Sequence, residues 1–423
     1  MPSVPGLPLV PDPLRRIHVR RDLESITTIA QEADPAAAGL DAEAVEKIWS
    51  AGRNLYRSGV HPALQLCVRR HGHVVVDRAI GHARGNGPAD DRDSERVLVT
   101  TDTPFCIFSA SKAVTAMVVH KLHERGLLDI SDRVTDYIPE YAANGKGETT
   151  IAHVLAHRAG VPTLPREALD IDRIGDREHV IRVIADAKPF VKPGTLLAYH
   201  AVSGGFILGE IVQRVTGRSI RDVLASEFLD PLGFRWMNYG VDAADVGEVG
   251  LNYVTGPPLL PPLSSLVSRV LGNPLDAVVE LSNDPRFLEA VVPAANIMTN
   301  ANELSRFFEI FREGGALDGV RVMEPETIAR ALTEQSRLEI DLSLGFPTRF
   351  GLGLMLGAKL LSLYGRDTDK AFGHLGLINI MGWADPERGL SAALITSGKP
   401  LLYPELPRFF AVMQTITSEV PKL

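Results

Sequence analysis

Ser109-Ala110-Ser111-Lys112 sets a hydroxyl and an amine three residues apart, just where the apolar run Phe105-Cys106-Ile107-Phe108 gives way to a helical pattern. On a helix, residues at that spacing share a face, so the lysine can reach the serine oxygen. A helix N-terminus adds unpaired N–H groups and positive potential, which favour an alkoxide and the oxyanion formed after its attack. The lysine must first lose its proton, and burial lowers an amine pKa in that direction. The chemistry on offer is nucleophilic attack on a carbonyl; the alternative is a serine N-cap followed by a solvated lysine. Rival centres are weaker. Ala201-Val202-Ser203-Gly204-Gly205 lacks the first glycine of a nucleophile elbow and is expected to be helix packing. His71 and His73 flank a turn glycine without a third metal ligand, and Cys106 sits in apolar sequence as a core residue.

Several elements must position the pair. Residues 41–58 have a helical apolar spacing and stop at Gly59. Residues 63–83 alternate around His71-Gly72-His73 and predict a hairpin. The helix carrying the motif is expected over 109–125, closed by Gly126. The middle of the chain is mostly helical by period, most clearly over 151–157, 180–187 and 204–216. Strand signals return at 350–356, 371–384 and 390–397, the last two separated by Asp385-Pro386-Glu387-Arg388-Gly389, and a final helix is expected over 406–418. Strands near both ends with helices between predict one sheet assembled from distant segments and an α/β plus all-α architecture. The expected organisation is an extended arm over 1–35, an α/β lobe from 36–126 and 341–423, and a mostly helical lobe over 127–340. Residues 256–272, a proline-rich stretch and an apolar-faced segment, are a surface loop with a packed helix or, alternatively, a lid over the site.

With 423 residues, 45% hydrophobic and 23% charged, the chain has the composition of an ordinary globular enzyme. A net charge of −8 gives no electrostatic reason to bind nucleic acid or an anionic membrane surface. No stretch approaches the ~20 consecutive apolar residues of a membrane span. The N-terminal stretch has no apolar signal region, and two cysteines, Cys67 and Cys106, make no disulfide framework. The expectation is a cytoplasmic protein, with homo-oligomerisation left open, acting on a small molecule without metal or cofactor.

With partner motifs, S-x-x-K is a signature of serine β-lactamases and penicillin-binding proteins. Over about residues 40–420 the chain resembles class C β-lactamases and the carboxylesterases of the same fold, often called family VIII. The likeness is carried by 105–112, by Gly126-Leu127-Leu128-Asp129-Ile130-Ser131-Asp132 with Tyr137-Ile138-Pro139, and by 150–160, which is similar to the family's "ITIRHLLTHTSG". It implies a β-lactamase/transpeptidase-like fold, an antiparallel sheet flanked by helices with an inserted helical lobe. It also implies that Ser109 is the nucleophile and that Lys112 and Tyr199 share the base and acid roles. Tyr199 follows Lys192-Pro193-Gly194 as the tyrosine of the family's Y-x-N element follows its turn, but Ala201 replaces the asparagine that helps hold a β-lactam's amide side chain. A buried core aromatic is the alternative for Tyr199. Gly373-His374-Leu375-Gly376-Leu377 matches the K-T-G strand, with His374 for the lysine. The resemblance then makes His374 a partner of Tyr199 or of substrate, Gly376 a point of close approach, and the Leu377 N–H an oxyanion donor beside that of Ser109. His200 is counted with the substrate-binding residues. An ester is the expected substrate; a β-lactam or D-alanyl peptide is the alternative within the class, and a catalytically silent scaffold the alternative outside it.

Overall fold

The computed structural model describes residues 12–91, 93–337, 339–401 and 405–423. Its centre is a sheet in the order β1 (Thr27–Ile29), β3 (His73–Arg84), β2 (Ala63–Arg70), β7 (Leu390–Thr396), β6 (Ile380–Asp385), β5 (Phe372–Gly376) and β4 (Met355–Leu356), every neighbouring pair antiparallel. Strand β2 from the start of the chain lies between β3 and β7, so the sheet exists only when both ends of the chain meet.

Both faces are covered, which explains why β2 and β7 are buried at every position. Side chains alternate across a strand. Leu64, Leu66 and Val68 of β2, with Leu390, Ala392 and Leu394 of β7, enter one core beside Ile48, Trp49 and Leu55 of α1 (Ala42–Tyr56) and Phe409, Val412 and Ile416 of the last helix, Leu406–Glu419. Ala63, Cys67, Ala393 and Ile395 enter the other, against α2 (Ser111–Glu124) and α3 (Ala301–Arg312). The first helix starts at Asp41, whose side chain accepts the Ala44 N–H.

Four expectations are corrected in detail. In the expected arm, 1–11 lie outside the described residues, while Thr27–Ile29 pairs with β3 as an edge strand and Ile17, Leu23 and Ile26 are buried. The helix expected from Ser109 is preceded by a short 3-10 turn, Phe108–Ala110, because Phe108 adopts a left-handed φ of 47° that no continuous helix tolerates. Only Met355–Leu356 of 350–356 is strand; Gly353, at φ 95°, leads the chain so close to α2 that an added Cβ would stand 2.1 Å from the Ala116 Cβ. The single strand expected over 371–384 is a hairpin, broken by Leu377-Ile378-Asn379 with φ values of 49° and 60° at the last two.

Within 256–272, Leu263–Leu271 is a helix without a buried residue, and Leu260 is 71% exposed. Among the described residues, no helix is long and apolar enough to cross a membrane.

Candidate active site

Ser109 stands in the 3-10 turn, two residues before the first residue of α2, partly exposed at the edge of the second core. The strand Phe105–Cys106, paired with Ile297–Thr299, fixes the entry to that turn, and the Ser111 hydroxyl accepts the Ile297 N–H at 3.0 Å. A left-handed, non-glycine Phe108 directly before a hydroxyl is the kind of backbone outlier that reactive centres hold.

Lys112 lies one turn on, buried, and its Nζ donates to Ser109 Oγ and to the Ala294 carbonyl, each at 3.0 Å. Burial with no counter-ion lowers its pKa from 10.5 to about 7, so a neutral amine is accessible at ordinary pH. Tyr199 comes from a stretch without helix or strand. Its ring lies 5.0 Å from Lys112 Nζ, and its hydroxyl is close enough to Ser109 to interact with it. Burial pushes the Tyr199 pKa well above 10; the nearby Ser109 hydroxyl lowers it and the Asp341 charge raises it further. Burial keeps this phenol protonated. Ser109 and the buried Lys112 are therefore hydrogen-bonded with the Tyr199 ring packed beside them, not a solvated lysine and an unrelated core aromatic.

The remaining expected residues divide. On β5, His374 donates from Nδ1 to the Leu375 carbonyl at 2.7 Å, and its buried Nε2 has no hydrogen-bond partner among the described residues. Its ring centroid is 6.3 Å from that of Tyr199, without a hydrogen bond between them, and burial lowers its pKa to about 3, leaving Nε2 a bare acceptor. At Gly376 an added Cβ would meet the Ile107 carbonyl oxygen at 2.4 Å, so this glycine lets β5 rest against the chain just before Ser109. Leu377 opens the turn that follows, partly exposed. His200 is buried behind the cluster: its Nε2 accepts the Val161 N–H at 3.1 Å, and with Lys112, Thr115 and His157 it lines a cavity of about 20 Å³. That placement anchors it to the Val161 backbone on the same cavity wall as Lys112. Gly376→Ala is expected to cost about 1–3 kcal/mol, the range for overpacking, and to lower turnover with it. Thermal melts beside an activity assay check this, and wild-type values for both would show that the close approach is dispensable.

Two participants escaped sequence reasoning. His157, at a left-handed φ of 58°, packs its ring 4.5 Å from that of Tyr199 and accepts the His200 N–H on Nδ1. Asp341, fully buried, accepts the Tyr199 N–H at 3.0 Å. His157 lay inside the stretch 150–160 that carries the family likeness, a signal that went unused; nothing local marked Asp341. Among the described residues, no three His, Cys, Asp or Glu side chains are grouped to hold a metal ion.

Comparison with known proteins decides the family, since the Beta-lactamase family model matches residues 43–411. The chain belongs to the beta-lactamase family. Within it, the chain is 30% identical over 310 residues to "Esterase/beta-lactamase LipL" of Mycobacterium tuberculosis, covering 70% of each chain. It is 26% identical over 395 residues to "Esterase EstB" of Burkholderia gladioli, covering 87% of this chain and 94% of that one. Among solved structures, a family VIII carboxylesterase superposes with a TM-score of 0.74 at 28% identity, over 88% of this chain and 97% of its own. A penicillin-binding protein homolog from Caulobacter crescentus gives 0.75 at 26%, over 89% and 97%. The beta-lactamase/transpeptidase-like fold, an antiparallel sheet with flanking helices, is thereby established.

Proposed function

We propose that this beta-lactamase-family hydrolase cleaves carboxylic esters through an acyl-enzyme on Ser109. The observation that carries the reading is the 3.0 Å hydrogen bond from the buried Lys112 amine to Ser109 Oγ. Neutral Lys112 takes the Ser109 proton as Oγ bonds to the ester carbonyl carbon, and the negative charge moves to the carbonyl oxygen. The N–H groups of Ser109 and Leu377 receive that oxyanion. The tetrahedral centre collapses, the C–O bond to the alcohol breaks, and the leaving oxygen takes a proton through Tyr199, which Lys112 re-supplies. Water then attacks the acyl group by the same route in reverse and restores the Ser109 hydroxyl. Assigning the first proton to Lys112 follows from the directions of the two shifts, with the amine lowered to about 7 and the phenol raised.

Support for an ester over a β-lactam comes from Ala201 and His374, which replace the family's amide and lysine, and from the name of "Esterase EstB", whereas "Esterase/beta-lactamase LipL" carries both activities in its name. The 36–126 plus 341–423 lobe and the 127–340 lobe serve in this reading as the two walls of the site, and two unpaired, buried cysteines support a reducing compartment. Purified protein is expected to hydrolyse p-nitrophenyl butyrate and to be labelled by a fluorophosphonate at Ser109. Strong turnover of a chromogenic cephalosporin without ester cleavage would reverse the substrate assignment; a folded protein that takes no label would favour a scaffold.

A further inference from the structure

Tyr199 has no regular element of its own to hold it. Residues 195–200 are neither helix nor strand, yet each backbone N–H from Leu197 to His200 has a specific tertiary acceptor. Leu197 donates to Glu339 Oε1 at 3.4 Å and Ala198 to the His157 carbonyl at 3.0 Å; Tyr199 donates to Asp341 Oδ1 at 3.0 Å and His200 to His157 Nδ1 at 3.2 Å. Two of the four acceptors lie on one short segment, 339–344, which also donates its Leu342 N–H to the Leu197 carbonyl at 3.1 Å. An ion pair between Arg158 and Glu339 ties the same segment to the other side.

Asp341 is the hub of this strap. Its single Oδ1 receives three N–H groups, from Tyr199, from Ser343 at 2.8 Å and from Leu344 at 3.0 Å. The residues on either side, Ile340 and Leu342, are 60% and 50% exposed, so next to Asp341 it is the carboxylate, rather than its apolar neighbours, that ties the strap to Tyr199, while Leu344 packs on the core and Glu339–Ile340 pairs with Pro347–Thr348. The second oxygen, Oδ2, is buried without a hydrogen-bond partner among the described residues, an expense a purely structural turn has no use for. A buried acid is therefore kept where it fixes the backbone of the residue whose hydroxyl meets Ser109.

We propose that Asp341 is a positioning residue for Tyr199, holding its main chain so that the phenol stands at the nucleophile. The proposal rests on the reading of Tyr199 as the proton relay in ester hydrolysis. Asp341→Ala removes the acceptor, and the kcat for p-nitrophenyl butyrate, counted per fluorophosphonate-titrated site, is expected to fall ~10–100-fold, with KM within about 3-fold, because a misplacement near 1 Å has that kinetic cost. Asp341→Asn keeps an oxygen for the three N–H groups and is expected to recover kcat to within about 3-fold of wild type, even though its buried NH2 lowers the melting temperature. Wild-type kcat per titrated site in a folded Asp341→Ala protein overturns the proposal, since a structural role alone would lower only the melting temperature. Equal loss in folded Ala and Asn variants overturns it too, because the charge and not the accepted hydrogen bonds would then be at work. Ser109→Ala, assayed in parallel, separates the two levels: activity surviving there sinks the ester-hydrolase reading itself, whatever Asp341 does.

Discussion

Ser109→Ala is expected to lower kcat for ester hydrolysis by about 10⁴-fold or more, leaving a folded protein that no longer takes a fluorophosphonate. The side chain is only partly buried, so losing its oxygen leaves little cavity. Lys112 loses one of its two acceptors, Ser109 Oγ, and retains the Ala294 carbonyl. The neighbouring serine is the control. Ser111 is fully buried and accepts the Ile297 N–H, so Ser111→Ala should lower the melting temperature without removing the label. Intact-mass measurement of both variants after labelling reads the difference directly. A Ser109→Ala protein that keeps a tenth of wild-type turnover would refute the nucleophile assignment.

Lys112→Met should be nearly inactive and, at neutral pH, more stable than the native protein. The amine is the proposed base, and its loss is expected to cost about 10³-fold in kcat. For stability the sign follows from proton counts. An unfolded lysine stays protonated up to about pH 10.5, whereas the folded Lys112 gives up its proton near 7, because burial penalises the charged form. Between those values the unfolded chain binds more protons, so this residue's contribution to stability rises as pH increases from about 7 to 10.5 and is least favourable below 7. Methionine removes the penalty, so melting temperature should rise by a few degrees at pH 7 and the increase with pH over that window should flatten. Wild-type kcat/KM should have an acidic limb near 7 and climb above it. If the limb is absent there and activity begins only at strongly alkaline pH, Tyr199 and not Lys112 is the base.

Where the signal is local, sequence reasoning reaches the site. Ser109 and Lys112 are one helical turn apart, and Tyr199 sits beside a recognisable turn, so all three are found without coordinates. Acceptors from distant segments leave no such trace. The Ala294 carbonyl that shares Lys112 is a backbone atom 182 residues away, and Asp341 lies 142 residues beyond Tyr199. The fold is legible to the same degree. Apolar alternation and helical period give the sheet from both chain ends and its covering helices. They fail at the β5–β6 turn, because Ile378 is β-branched and argues against the left-handed φ it adopts. The Thr27–Ile29 edge strand is likewise missed, because three residues are too short for alternation to show.

The pairing of β2 with β7 has a consequence for how the protein comes into being. Ala63 and Ser397 are joined by a hydrogen bond across 334 positions, so a ribosome delivers the two halves of this contact far apart in time. Until the later strands emerge, the nascent polypeptide carries the S-x-x-K segment without the strand wall on which it rests. Contacts so distant along the chain close slowly and leave apolar edges uncovered meanwhile. Hydrolytic competence is thus reserved for the nearly finished molecule, and premature termination yields inert, aggregation-prone fragments in place of a partly active enzyme.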